Sequence, residues 1–106
     1  MLVLFDHGTP RGLARLLVGH LVRPAQAEGW DRLTGDLLAK AENAGFEVLV
    51  TPDKNIRYQQ NLSNRKIAIV VIGNAQWPVL RLHARLILAA VNAATPGSYT
   101  EVEIPN

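Results

Sequence analysis

The amino-acid sequence predicts an α/β fold, a three-layer α/β/α sandwich built on a mostly parallel sheet of four or five strands. Short apolar runs alternate with helical segments in the order βαβαβαβαβ. The best-defined runs are apolar throughout, as strands buried on both faces of a parallel sheet are. The spacing between runs is near the minimum for crossover connections, which favours parallel neighbours. At 106 residues, 48% of them hydrophobic, the chain suits a single domain, 1–106, with an ordinary core.

Five strands are predicted from apolar runs and from the residues that end them. They are residues 2–5, a weaker run at 20–23, then 47–51, 67–72 and 98–104. Proline follows the second and third runs directly, and proline cannot continue a central strand. The last run alternates polar and apolar residues, which indicates a half-exposed strand at an edge of the sheet.

The first predicted helix follows the first strand after a short loop. Thr9 and Pro10 have the residue types of an N-cap and a first helical position. The residues expected to face the core are Leu13, Leu16 and Leu17. Because residues four apart are neighbours on an α-helix, we expect Arg11 and Arg15 on one face.

Two further helices are predicted, with a short helix and loop between them at 54–64. The second helix has Thr34 as its expected N-cap and Gly45 as its end. Its inward residues are Leu37, Leu38 and Ala41. The third is a long helix from Pro78 to about Ala94, ended by the Pro-Gly pair that follows it.

Carboxylates follow two strands that are expected to be neighbours. Asp6 ends the first strand, and Asp53 follows the end of the third by two residues. In a doubly wound sheet of order 2-1-3-4-5, ligands bind at the carboxyl ends of the strands, and these two strands flank the switch point. Two carboxylates so close either share a proton or hold a divalent cation. Asp36, in the first turn of the second helix, is a candidate third oxygen ligand.

Each aspartate also has a purely structural interpretation. An aspartate after a strand often caps the next turn or helix, and this applies to Asp6 and to Asp53. Asp36 could instead complement the helix dipole and pair with Lys40. Three neighbours are expected to support the ligands: His7, Asn55 and Asn74. His7 could instead be a ligand, a proton shuttle or a plain loop residue.

The small net charge of +2 conceals an asymmetry between the two halves of the chain. Residues 1–53 carry seven acids and five bases, whereas residues 54–106 carry six bases and two acids. No acid occurs from 54 to 100. Such an asymmetry points to a polyanionic partner, with a solvated positive face as the plainer alternative. The candidate phosphate contacts are Lys54, Arg57, Arg11 and Arg15.

Three stretches of the chain together resemble a family of small bacterial PIN-like domains. They are the opening LVLFDHGTPRGLARLL, the central GFEVLVTPDKNIRYQQNLSNRKIAIVVIG and the helix beginning near WPVLRLHARLI. The resemblance covers nearly the whole chain. The paired motifs in this order are fairly specific, although each alone is weak.

The resemblance implies a Mg²⁺- or Mn²⁺-dependent ribonuclease, and it implies an antitoxin protein as partner if the chain is the toxin of a toxin–antitoxin pair. By position, Asp6 and Asp53 match metal-binding aspartates of the family, and Asp36 stands near a third. Two departures remove carboxylates: His7 stands where the family often has Glu, and Asn55 replaces the second aspartate of a D-K-D-F motif. The alternative is therefore a catalytically degenerate PIN-like module that binds a protein or RNA partner.

Other classes of protein are disfavoured by residues that the sequence lacks. Without cysteine, a disulfide framework, a thiolate zinc site and a Cys nucleophile are excluded, so a metal would be a hard, oxygen-bound cation. No phosphate-binding glycine loop follows a strand. A receiver-like signalling domain would share the strand-end acids but needs a lysine after its last strand.

The apolar runs are too short to span a membrane, and we expect a cytoplasmic protein with no membrane partner. The edge strand offers a surface for a homodimer.

Overall fold

In the computed structural model, which describes residues 1–30, 36–59, 62 and 64–105, five strands form one parallel sheet. The strands are β1 (Leu2–Phe5), β2 (Leu21–Pro24), β3 (Val48–Thr51), β4 (Ala68–Val71) and β5 (Tyr99–Glu101). Their order across the sheet is β2-β1-β3-β4-β5, and every neighbouring pair is parallel. The predicted number of strands and their predicted order are confirmed.

Helices connect the strands and cover both faces of the sheet. The α-helices are α1 (Leu37–Asn43), α2 (Ile56–Gln59), α3 (Trp77–Leu82) and α4 (Ala84–Ala93). Two 3₁₀ helices, Arg11–Leu16 and Ala25–Glu28, follow β1 and β2. The chain is thus an α/β protein with a sandwich arrangement, as the alternating pattern predicted.

Two apolar clusters hold the helices to the sheet, one on each face. On β1, Val3 and Phe5 point into the cluster beneath the first 3₁₀ helix, α3 and α4, while Leu4 points into the cluster beneath α1 and α2. This alternation follows from the period of two of a strand. Burying one such side chain completely contributes roughly 1.5–3 kcal/mol, so the two clusters supply the main stabilisation of the fold.

The last crossover has the opposite hand to the preceding ones. The chain passes from β2 to β3 and from β3 to β4 over the face that α1 and α2 cover. It moves in the same direction across the sheet from β4 to β5, but over the opposite face. This unusual connection places α3 and α4 beside the first 3₁₀ helix.

The first predicted helix differs from expectation in type and in what it buries. The segment Arg11–Leu16 is a 3₁₀ helix, with Pro10 rather than Thr9 at the N-cap. Because a 3₁₀ helix turns about 120° per residue, residues four apart do not share a face, and the pairing predicted for the two arginines is wrong. The prediction that Leu16 is buried is also wrong, since it is 37% exposed.

The predicted long C-terminal helix is two helices that meet at His83. Its backbone angles, φ −118° and ψ 21°, are not helical, and its N–H bonds to the Leu80 carbonyl three residues back, as in a 3₁₀ turn. Trp77 begins α3 with proline next in the chain, near the predicted start. The predicted cap Thr34 lies outside the described residues, and Asp36 is the N-cap of α1.

No helix in the described ranges has both the length and the hydropathy needed to cross a membrane.

Candidate functional site

The carboxyl ends of β1 and β3 bring Asp6 and the residues around Asp53 to one place on the sheet. β1 and β3 are paired, with Phe5 opposite Val50. The Asp6 N–H donates to the Val50 carbonyl at 2.9 Å, which extends this pairing one residue beyond the strand. The side chain of Asp6 is therefore held at the switch point of the sheet, with the residue only 6% exposed.

The hydroxyl of Thr51 links the two aspartates. It donates to Asp6 Oδ2 at 2.7 Å and accepts from the Asp53 N–H at 3.1 Å. Asp6 Oδ1 accepts from the N–H of His7 at 2.8 Å. Each oxygen of the buried carboxylate thus has one partner and keeps a lone pair for another, since an ionised carboxylate accepts about four bonds.

Asp53 also forms the turn that begins α2. Its Oδ1 accepts from the Asn55 N–H at 2.8 Å, and its carbonyl accepts from the Ile56 N–H at 3.3 Å. This is an Asx-type turn, in which an aspartate side chain bonds to the backbone two residues on. The turn fixes the position of the Asp53 carboxylate relative to β3. Asn55 contributes to the site through its backbone N–H.

His7 lies on the β2 side of Asp6. Its Nδ1 is 3.2 Å from Nε2 of Gln26, a residue of the Ala25–Glu28 helix. Gln26, His7, Asp6, Thr51 and Asp53 therefore form a continuous hydrogen-bonded row along the carboxyl edge of three adjacent strands. Two of these contacts pass through backbone N–H groups, those of His7 and Asp53.

Asp36 is bound to other partners. Its Oδ1 accepts from the Ala39 N–H at 3.3 Å, as an N-cap does, and from Arg65 at 3.0 Å. Arg65 precedes β4 and so lies toward the amino edge of the sheet, and it also approaches Glu42 of α1 at 4.0 Å. The structure therefore shows Asp36 as the cap of α1 and the partner of Arg65, whereas Asp6 and Asp53 are linked to each other by the Thr51 hydroxyl.

Lys54 directly follows Asp53 in the chain, and its side chain lies over the end of β4. A Cβ built on Gly73, whose φ is +62°, would be 2.6 Å from Cε of Lys54, so the lysine stem crosses that glycine closely. Lys54 and Asn74 line a cleft of about 340 Å³ with Glu101 and Glu103. Asn74 itself accepts from the Gln76 N–H at 2.8 Å through Oδ1.

The three arginines that we predicted to contact phosphate are all exposed, and they lie in different places. Arg57 belongs to α2, which begins three residues after Asp53. Arg11 is in the first turn of its 3₁₀ helix, close to the carboxyl edge. Arg15 is in the last turn, so it lies further from that edge.

The oxygen donors at the switch point suit a hard divalent cation. Asp6 and Asp53 supply carboxylates, and Mg²⁺ is usually bound by one or two carboxylates with water and substrate phosphate completing the shell. Within the ranges that the structure describes, no group of three or more His, Asp or Glu side chains is close enough to hold a metal ion. A pair of ligands, Asp6 and Asp53, and the three-carboxylate site both remain predictions.

Sequence reasoning identified the two strand-end aspartates but missed the residues that connect them. Thr51 was recognised only as the end of a strand. Its position directly before Pro-Asp, after three apolar residues, was the available signal, because a fully buried threonine hydroxyl needs partners. Gln26 had no such signal, since its contact with His7 depends on β2 lying beside β1.

Comparisons of this chain with protein-family models, with curated proteins and with solved structures find no match.

Proposed function

We propose that this protein is a Mg²⁺- or Mn²⁺-dependent ribonuclease that hydrolyses phosphodiester bonds at the carboxyl edge of its sheet. The observation that carries the proposal is the Asp6–Thr51–Asp53 connection at the switch point between β1 and β3. It joins the Asp6 carboxylate to the backbone of Asp53, whose own carboxylate is fixed by the Asn55 N–H. The resemblance of the sequence to PIN-like domains supports the same assignment, with the toxin of a toxin–antitoxin pair as its biological role.

Asp6 and Asp53 are the proposed metal ligands, and Thr51 positions them. A cation held by these two carboxylates would supply an activated water and would stabilise negative charge on the phosphodiester. We leave Asp36 out of the ligand pair, because its carboxylate is held by Ala39 and Arg65. His7 and Gln26 order the same edge from the β2 side.

Basic side chains around this edge hold the phosphates of the RNA. Lys54 lies next to Asp53 in the chain and extends over the end of β4. Arg57 and Arg11 are exposed on the two elements that begin at this edge. Contacts of this type give affinity that falls as salt rises, because binding releases counterions from the RNA.

The test is cleavage of a labelled single-stranded RNA in Mn²⁺ by the wild type, Asp6→Asn, Asp53→Asn and Asp36→Asn. The first two variants are expected to lose cleavage. Asp36→Asn is the matched control, because it makes the same chemical change at a carboxylate outside the proposed site, and it is expected to keep most activity. Equal cleavage by the wild type and the Asp6→Asn/Asp53→Asn double variant would exclude the proposal.

A second candidate is a non-catalytic module of the same fold that binds a protein or RNA partner. It is favoured by the small number of carboxylates at the edge, since no three metal-ligating side chains come together in the described ranges. Calorimetry separates the two candidates. A nuclease binds Mn²⁺ at millimolar concentration or below, and the degenerate module does not.

A further inference from the structure

One helical layer of the protein is basic and contains no acidic residue. This layer consists of the Arg11–Leu16 3₁₀ helix, α3 and α4. The sequence of these three elements contains four arginines and neither aspartate nor glutamate. All four arginines are exposed. The opposite layer differs, because α1 and the residues around it carry Asp36, Lys40 and Glu42.

The same layer exposes large apolar side chains. Leu82 is 74% exposed, Leu86 is 45% exposed and Leu16 is 37% exposed. Loose packing does not explain this exposure, since Leu80 and Ile87 on the inner side of the same helices are fully buried. The other exposed large apolar residues of the described ranges are Val18, two residues after the 3₁₀ helix, and Leu21, the first residue of β2.

Contacts at both ends hold the three elements side by side. At the carboxyl edge, a Cβ built on Gly12 would lie 2.7 Å from the ring of Trp77, so the backbone of the 3₁₀ helix is in close contact with the start of α3. The 3₁₀ helix also contacts α4, and beyond its end His20 Nε2 lies 2.6 Å from Asn92 Oδ1 of α4. The exposed arginines and leucines therefore belong to one surface.

We call this surface the arginine–leucine face. It consists of Arg15, Leu16, Arg81, Leu82, Arg85 and Leu86.

We propose that the arginine–leucine face docks an acidic amphipathic segment of a partner protein. A face with only positive charge is complementary to an acidic partner, and such complementarity steers association and determines its register. The leucines require an apolar stripe on the partner, since exposed apolar side chains gain from burial. An RNA backbone would satisfy the arginines but leave the leucines in water. None of the six residues belongs to the proposed metal site, so this inference stands independently of the nuclease proposal.

The test is selection of peptides from a displayed random library of 16-residue sequences on the immobilised full chain. Three proteins are compared: the wild type, Arg81→Glu/Arg85→Glu and Leu82→Ser/Leu86→Ser. The peptides enriched on the wild type are expected to carry Asp or Glu together with apolar residues spaced by three or four. Their synthetic forms are expected to bind each variant at least ten-fold more weakly. The changed residues are exposed, and equal urea midpoints will show that the variants are folded.

Both pairs of substitutions must weaken binding. Loss with the Arg pair alone would indicate simple charge attraction and overturn the proposal. The proposal would also be overturned if no selected peptide preferred the wild type, or if the selected peptides contained no Asp or Glu.

Other occupants are tested on the same variants. The first alternative probes are polyuridylate and phosphatidylserine-containing vesicles. If one of them binds only when both residue pairs are intact, and no acidic peptide binds, the face would be assigned to RNA or to a lipid surface instead. Self-association lost in both variants would assign it to a second copy of the chain.

Discussion

The Thr51 hydroxyl donates a 2.7 Å hydrogen bond to the buried carboxylate of Asp6 and accepts one from the Asp53 N–H. This single side chain joins β3 to the end of β1 and connects the two proposed metal ligands. Thr51 has no exposed surface, so a water molecule from solvent cannot take the place of its hydroxyl in these two bonds. The relationship has consequences for both stability and metal binding.

Replacing Thr51 with Val is expected to destabilise the protein by about 1–3 kcal/mol, because a buried carboxylate and a backbone N–H lose their shared partner. Metal affinity is expected to fall by roughly 10–100-fold, as it does when groups that orient ligands are removed. Thr51→Ser keeps the hydroxyl and should retain most of the metal affinity. Urea unfolding and Mn²⁺ titration measure the two effects. Equal affinity of the Val variant and the wild type would show that the hydroxyl does not position the ligands.

Substitution of Gly12 with Ala is expected to destabilise the fold by about 1–3 kcal/mol, the usual penalty for overpacking. The added Cβ would lie 2.7 Å from the Trp77 ring. The ring is rigid, so it cannot bend away from the new methyl group as a flexible side chain could. A double-mutant cycle with Trp77→Leu isolates this contact. Gly12→Ala should cost much less in the Trp77→Leu background than in the wild type, and an equal cost in both would show that another contact is responsible.

Gly73→Ala is expected to weaken RNA binding by displacing Lys54. The new Cβ would meet Cε of the lysine at 2.6 Å, so the lysine stem must move. Gly45→Ala is the matched control, because Gly45 also has a positive φ, +92°, but has open space around it. Both variants should lose about 1–2 kcal/mol of stability, because alanine is strained at a positive φ.

Of the two glycine variants, only Gly73→Ala should reduce RNA affinity, to about the affinity of the Lys54→Met variant. The double variant Gly73→Ala/Lys54→Met should bind RNA little more weakly than Lys54→Met alone. Fluorescence anisotropy with a labelled RNA measures the affinities. Additive losses would show that the contact between the two residues is irrelevant to RNA.

The ion pair between Asp36 and Arg65 is expected to be worth about 0.2–1 kcal/mol in a double-mutant cycle with Asp36→Asn and Arg65→Gln. The value is small because the Asp36 side chain is 55% exposed and well solvated. Thermal or urea unfolding of the four proteins measures it. A coupling near zero together with a loss of Mn²⁺ binding in Asp36→Asn would move Asp36 from a structural role to the metal site.

The strands and the position of the two aspartates could be predicted because both follow from local signals, whereas the strand order was that of a common class of doubly wound sheet. Strands buried on both faces have continuous apolar runs, and a residue after such a run lies at the carboxyl edge wherever the strand is placed. Asp6 and Asp53 were found in this way. The same reasoning could not find the partner of Asp36, because Arg65 is distant in the chain and meets it only through the packing of α1 beside β4.

The helix types were less predictable, since competing local interactions decide them. The pattern from Thr9 to Leu17 suits an α-helix, but the Thr9 hydroxyl donates to the Val50 carbonyl at 3.2 Å and does not cap the helix. The close approach of Gly12 to Trp77 is a further tertiary constraint on this segment. In the C-terminal region, the apolar pattern continues through His83 and gives no sign of the break that separates α3 from α4.

The most direct test of the central claim is paramagnetic broadening of backbone amide signals by Mn²⁺. The ion is expected to broaden the signals of His7, Thr51 and Asp53 first, because a cation between the Asp6 and Asp53 carboxylates lies next to all three. The signals of Ala39 and Arg65, which surround Asp36, should persist at the same concentration. Asp6→Asn/Asp53→Asn should abolish the effect. Broadening centred on Ala39 and Arg65, or none at millimolar Mn²⁺, would contradict a metal site at the switch point of this sheet.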